Sequence, residues 1–144
     1  MPIDYAIDHA RRLVVARGTG VFADADVFAY QREVWSRPEL AGYDELVDMT
    51  AVEAIAAPLP AAPRLRLLAD VAAAHDPPAD AGRFAIVAPD SLAFGLGRAY
   101  QTYREMDPRS KKEVEVFRTL AEALAFLWID TLGGLEFRRA GHST

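Results

Sequence analysis

Arg83-Phe84-Ala85-Ile86-Val87-Ala88-Pro89-Asp90-Ser91 is the stretch that decides the fold. Phe84, Ile86 and Val87 give the strongest strand signal in the chain, an apolar run rich in β-branched and aromatic side chains. Pro89 closes the run, and Asp90 or Ser91 offers a side-chain oxygen to the first free N–H groups of a helix. That helix is expected to reach about Met106. A buried strand that feeds directly into a helix is the unit from which parallel α/β sheets are assembled.

Downstream, Pro108 and the charged run Arg109 to Lys112 read as a loop, with Lys111 and Lys112 solvated. Glu113 to Phe117 alternates as a strand with Val114 and Val116 on one face. Thr119 and Glu122 form the T-x-x-E capping box of a last helix. It carries Leu120, Leu124, Leu127 and Trp128 and is expected to stop near Gly133-Gly134. The tail from Glu136 to Thr144 is expected to fray.

Upstream, Leu65, Leu68, Val71 and Ala72 form a helical stripe that ends at His75-Asp76-Pro77-Pro78. Pro58, Pro60 and Pro63 make a rigid connection into it. Glu45 to Met49 reads as a short buried strand. Asp24 or Asp26 caps a first helix, running to about Arg37, whose stripe is Val27, Tyr30, Val34 and Trp35; Pro38 stops it. Ile3 to Ile7 and Leu13 to Ala16 form a hairpin around Asp8-His9-Ala10-Arg11, and Gly18-Thr19-Gly20 breaks its second strand. The order is β-β-α-β-α-β-α-β-α. It predicts a single mixed α/β sheet, an N-terminal hairpin followed by mainly parallel βα units, covered by about four helices. Residues 1–132 form one domain and 133–144 a C-terminal tail.

The 144 residues are 51% hydrophobic and 26% charged, which is globular, and a chain of this length buries roughly two-thirds of its unfolded surface. There is no cysteine, so disulfide and thiol chemistry are excluded, and a reducing compartment fits. A formal charge of −5 disfavours a nucleic-acid partner. Met1 to Asp8 has no apolar signal core, and the longest strongly apolar run, Ala123 to Ile129, is far short of the ~20 residues that cross a bilayer. A cytoplasmic protein without stable membrane insertion is expected. The abundance of Ala, Arg, Asp and Pro points to a GC-rich bacterial gene.

Few residues suggest chemistry. Gly18-Thr19-Gly20-Val21-Phe22-Ala23 has the form G-x-G-x-x-A, but Asp24 and Asp26 occupy the helix start where a pyrophosphate would sit, so a glycine-permitted bulge or strand end is the better reading. His9, His75 and His142 stand apart in turns or tail without metal-ligand spacing and read as solvated. Asp24/Asp26 are explained by capping, and Glu45/Asp48 bracket a strand. Trp35 and Trp128 fit the apolar stripes of their helices as core residues. No catalytic constellation and no cofactor-binding or metal set emerges. The joint Pro89 to Gly97 is the segment of interest, because ligands of α/β proteins gather where strands give way to helices. Gly95 and Gly97 each cost roughly 1 kcal/mol inside a helix, which tight packing or a close ligand or partner would offset. Asp90, Ser91, Phe94, Gly95, Gly97, Tyr100 and Tyr103 are the expected ligand or partner surface. Phe94 and Leu96 cannot share a helix face; Phe94 is expected in the core and Leu96 at its margin.

The element order, together with Ile3-Asp4-Tyr5, Leu46-Val47-Asp48, Ala85-Ile86-Val87-Ala88-Pro89-Asp90 leading into Phe94-Gly95-Leu96 and Tyr100, and Val116-Phe117-Arg118 … Glu122-Ala123-Leu124-Ala125-Phe126-Leu127, resembles the SpoIIAA-like family, a branch of the STAS fold also labelled STAS/SEC14-like. The resemblance spans about residues 3 to 130. It implies a SpoIIAA/STAS-like fold of unassigned activity. The better-understood members are regulatory binding domains in which a Ser of an Asp-Ser-Ser-Gly-like segment, opening the helix after the third strand, is phosphorylated. Here Asp48-Met49-Thr50 is followed by Ala51-Val52-Glu53-Ala54-Ile55-Ala56-Ala57, so Thr50 is the only hydroxyl, and a switch of that type is not expected. The expected function is a non-enzymatic regulatory or protein-interaction module, with a homodimer through the third or last helix as one form. The alternative is a small apolar-ligand or lipid carrier of SEC14-like type, favoured by an apolar cavity near Phe94 and Tyr100. An enzyme would need Asp48, Asp90 and Ser91 gathered in one cleft.

Overall fold

The structure, a computed structural model, describes residues 3–56 and 62–141. β1 (Ile3–Asp8) and β2 (Leu13–Phe22) form the hairpin, followed by α1 (Asp24–Tyr30), β3 (Asp44–Ile55), α2 (Ala62–Ala74), β4 (Arg83–Val87), α3 (Ser91–Met106), β5 (Glu113–Phe117), α4 (Leu120–Leu127) and β6 (Arg138–Arg139). The six strands make one sheet in the order β5-β4-β3-β2-β1-β6. β2, β3, β4 and β5 are parallel neighbours, while β1 runs antiparallel to both β2 and β6. This is the mixed sheet with four helices that the element order predicts.

Side chains alternate across the sheet and create two interiors. On one face Val14, Ala16, Phe84, Ile86, Val114 and Val116 pack against α1, α2, α3 and the segment after α1. On the other, Leu13, Val15, Leu46, Ala85 and Val87 pack against Ala123 and Leu127 of α4, with Leu132, Leu135 and Phe137 closing over them. Gly97 lets α3 approach β5: a Cβ there would come within 3.1 Å of a Val116 methyl. Close packing therefore explains Gly97. It does not explain Gly95, where a Cβ would meet nothing within 4 Å.

Several expectations are corrected. β2 does not break at Gly18-Thr19-Gly20; it continues to Phe22 through register shifts between Arg17 and Thr19 and between Gly20 and Val21, with Gly20 at φ +60°. β3 is not short, because it follows this bulged extension of β2 out to Ile55. The first helix is α-helical only to Tyr30; Gln31–Trp35 is a π turn and Pro38–Leu40 a 3₁₀ turn. Its N-cap is Ala23, and Asp26 reaches back to accept the Ala23 N–H at 3.1 Å. Pro63 lies in the first turn of α2 rather than before it; Pro58 and Pro60 lie outside the described residues. α4 stops at Leu127, because Trp128 takes a left-handed conformation at φ 62° and stands 84% exposed instead of joining the core. Of the tail expected to fray, residues 138–140 are tied down: Arg138 and Arg139 pair with β1, and Ala140 is fully buried; residues 142–144 lie outside the described residues.

Candidate functional site

A cavity of about 130 Å³ lies between the helical layer and the sheet. Its lining is mostly apolar: Ile3, Ala16, Val47, Met49, Phe84 and Ile86 from the strands, and Val27, Leu65, Leu68, Ala72, Ala93 and Leu96 from the helices. At one part of the wall the lining becomes polar, with Tyr30, Gln31, Trp35, Glu45, Asp76, Tyr100, Arg104 and Lys112.

All of these but Gln31 belong to two linked ion pairs and their hydrogen-bond partners. Lys112 Nζ meets Glu45 Oε1 at 3.0 Å, with side chains only 4% and 7% exposed. The other Glu45 oxygen accepts from the Tyr30 hydroxyl at 2.8 Å, and Tyr30 in turn accepts from Trp35 Nε1 at 3.0 Å. Trp35 also lies under the ammonium, 3.3 Å from ring centroid to Lys112 Nζ. The second pair is Arg104 Nη2 and Asp76 Oδ2 at 2.7 Å, also buried. Arg104 further donates to the Tyr100 hydroxyl at 2.9 Å and to Ser110 Oγ at 2.7 Å. Asp76 Oδ2 accepts the backbone N–H groups of Lys111 and Lys112, which joins the two pairs.

The local folding explains this convergence. Lys112 precedes β5 with the same parity as Val114 and Val116, so it faces α3 and not solvent. Glu45 shares the face of Val47 and Met49 by the same rule. The π turn brings residues five apart into register, and this aligns Trp35 with Tyr30. Burial drives the Lys112 ammonium below its ordinary pKa, while Glu45 opposes the shift. The Tyr30 hydroxyl is pushed well above its ordinary range, first by burial and then by the Glu45 charge; burial likewise raises Tyr100.

The seven residues expected to form the surface divide. Gly97 and Tyr100 line the cavity. Asp90 is the N-cap of α3, accepting from Leu92 and Ala93 N–H at 3.0 and 3.2 Å. Ser91 and Gly95 are exposed. Phe94 is half-buried beneath the Arg118 guanidinium, and Tyr103 is half-buried beneath Arg66. Leu96, expected at the margin, lines the cavity, whereas Phe94 does not. Lys112, expected to be solvated, is instead one of the two buried cations of the site, with Arg104. His75 also lines the cavity, His9 Nδ1 bonds the Tyr43 hydroxyl at 2.9 Å, and His142 lies outside the described residues. Thr50 lies within β3, not at a helix start, and its N–H and hydroxyl both go to Asp48. Asp48, Asp90 and Ser91 share no hydrogen bond among the described residues. No group of three or more His, Asp or Glu residues among them has the spacing to hold a metal ion, and no described helix is long and apolar enough to cross a membrane.

No family model matches the chain, and no curated protein matches it. Among solved structures it is similar to an uncharacterised protein of the DUF3478 family with a SpoIIAA-like fold from Shewanella loihica PV-4. The TM-score is 0.53 at 19% identity, over 88% of this chain and 94% of that one. The likeness is one of fold, and the mixed six-stranded sheet with its four helices is SpoIIAA-like.

Proposed function

We propose that the protein binds a small, largely apolar molecule in the cavity between its helical layer and its sheet. The observation that carries this reading is the cavity itself, concave, mostly apolar and bounded by a few convergent polar groups, which is the ordinary make-up of a small-molecule site. Its volume of about 130 Å³ suits a ligand of one ring or a short chain, since an apolar cavity of roughly 150 Å³ accepts benzene. Binding fits better than catalysis: Asp48 and Asp90 are engaged with their own chain neighbours, and each charge of the polar wall is already paired. A cytoplasmic carrier or sensor is the setting that fits the sequence.

The test is thermal unfolding with saturating toluene, beside the cavity-filling variant Ala72→Leu. The melting temperature of the wild type should rise, because a ligand that binds only the folded state stabilises it, and that of the variant should not respond. An unresponsive wild type overturns the proposal. A second reading, a regulatory interaction module, draws on the outward side of the Pro89 to Gly97 joint. There Leu92 is 44% exposed and the space beside Gly95 is open, a face on which a protein partner would rest. Capture of a partner that Leu92→Asp abolishes would favour it; a stable fold with unchanged capture would count against it.

A further inference from the structure

We infer that the cavity selects an uncharged ligand carrying one hydrogen-bond donor, a hydroxyl or an N–H, which it presents to the side-chain carbonyl of Gln31. This rests on the binding reading above and specifies the ligand class.

Charge balance is the first argument. Glu45 is matched by Lys112, Asp76 by Arg104, and Asp24 by Arg64 at 2.7 Å. Every carboxylate of the lining, together with its arginine and lysine, is therefore paired. An ammonium ligand would lose its hydration and find no free carboxylate in the lining, and a carboxylate would find no free arginine or lysine there, only the ring of His75, so either is penalised.

Gln31 is the second. It lines the cavity at 5% exposure, and its Oε1 has no hydrogen-bond partner, while its Nε2 donates to the Leu68 carbonyl at 3.4 Å. The oxygen is thus the unpartnered end of the amide. A buried acceptor without a donor is costly, and an incoming O–H or N–H relieves that cost while keeping its own hydrogen bond. Gln101 offers an instructive contrast. Its carbonyl is also unpartnered, but it is not part of the cavity lining, and its Nε2 is held by the Val114 carbonyl at 2.8 Å. The π turn begins at Gln31, and such turns inside helices recur at functional sites.

The experiment compares dissociation constants for toluene, phenol and benzoate, by calorimetry or ligand-observed NMR, in the wild type, Gln31→Met and Gln31→Leu. Phenol and toluene have similar size and differ in the donor. In the wild type both bind, and benzoate does not compete. In either variant toluene should still bind, which reports an intact cavity, while the phenol-to-toluene preference falls roughly tenfold, the worth of one recovered hydrogen bond. An unchanged preference in both variants, with toluene still bound, overturns this inference and leaves the binding reading standing. Benzoate binding as tightly as phenol overturns it too. Failure of toluene and phenol alike to bind the wild type overturns the cavity reading and this inference with it.

Discussion

Glu45 and Leu46 are neighbours on β3 and point to opposite faces of the same sheet. Leu46 is fully buried in the layer under α4, where Leu13, Val15, Ala85, Val87, Ala123 and Leu127 meet, and none of these residues lines the cavity. Glu45 is buried under α3 and the π turn, ion-paired to Lys112 beside open volume. The first face satisfies burial with apolar packing alone. The second face keeps charges and space inside, both of which cost stability unless something is gained by them. Under the binding proposal, the α4 face holds the fold and the helical face around Glu45 receives the ligand.

The largest effect that would sharpen this contrast lies in the buried pair. Glu45→Leu or Lys112→Met leaves one uncompensated charge and should cost about 3–5 kcal/mol in denaturant melts, whereas the double variant should recover most of that loss. Equal losses in the single and double variants would mean that the pair stabilises the fold directly, and the two faces would then differ less than proposed.

Adding volume gives the next largest contrast. Ala85→Leu, on the packed face, should destabilise by about 1–3 kcal/mol, because no space receives the extra methyl groups. Ala72→Leu, beside the cavity, should change stability by less than about 0.5 kcal/mol, since its side chain enters existing space. Similar costs for both would contradict the assignment of the open volume to one face.

The smallest effect concerns charges at the surface. Asp107 accepts the Arg109 guanidinium and backbone N–H, which hold its carboxyl at about 2, below the usual 3.8. Its folded pKa is depressed, so its contribution is present above the unfolded value and lost as pH falls through about 2. NMR titration of the Asp107 carboxyl should report that low midpoint. Asp107→Asn should barely move the unfolding midpoint at neutral pH, in contrast to Glu45→Leu, because exposed pairs are screened by water and salt.

Much of the fold was legible from local chemistry. The run at Phe84 to Val87, the Asp90 cap, the Thr119–Glu122 box and the alternation of β5 appear as read, because each depends on near neighbours. The capture of Arg138–Arg139 by β1 was not legible, since it depends on a sheet edge far away in sequence. The left-handed turn at Trp128 was hidden because a tryptophan continues an apolar stripe so naturally. The site was read in part. Tyr100 and Gly97 emerged from the strand-to-helix joint, but the polar wall was missed. Two signals could have found it: the parity of Lys112 with Val114 and Val116, and the place of Gln31 on the stripe of Val27 and Val34. Lys112, next to Lys111 in a charged loop, looked solvent-facing until tertiary packing showed what covers it.

The most direct measurement is a set of intermolecular NOEs from bound toluene to assigned methyl groups. The account predicts cross-peaks to Val47, Leu68 and Ile86, which line the cavity, and none to Leu13, Val15, Leu46 or Val87. Cross-peaks to the second set, or to neither, would contradict it.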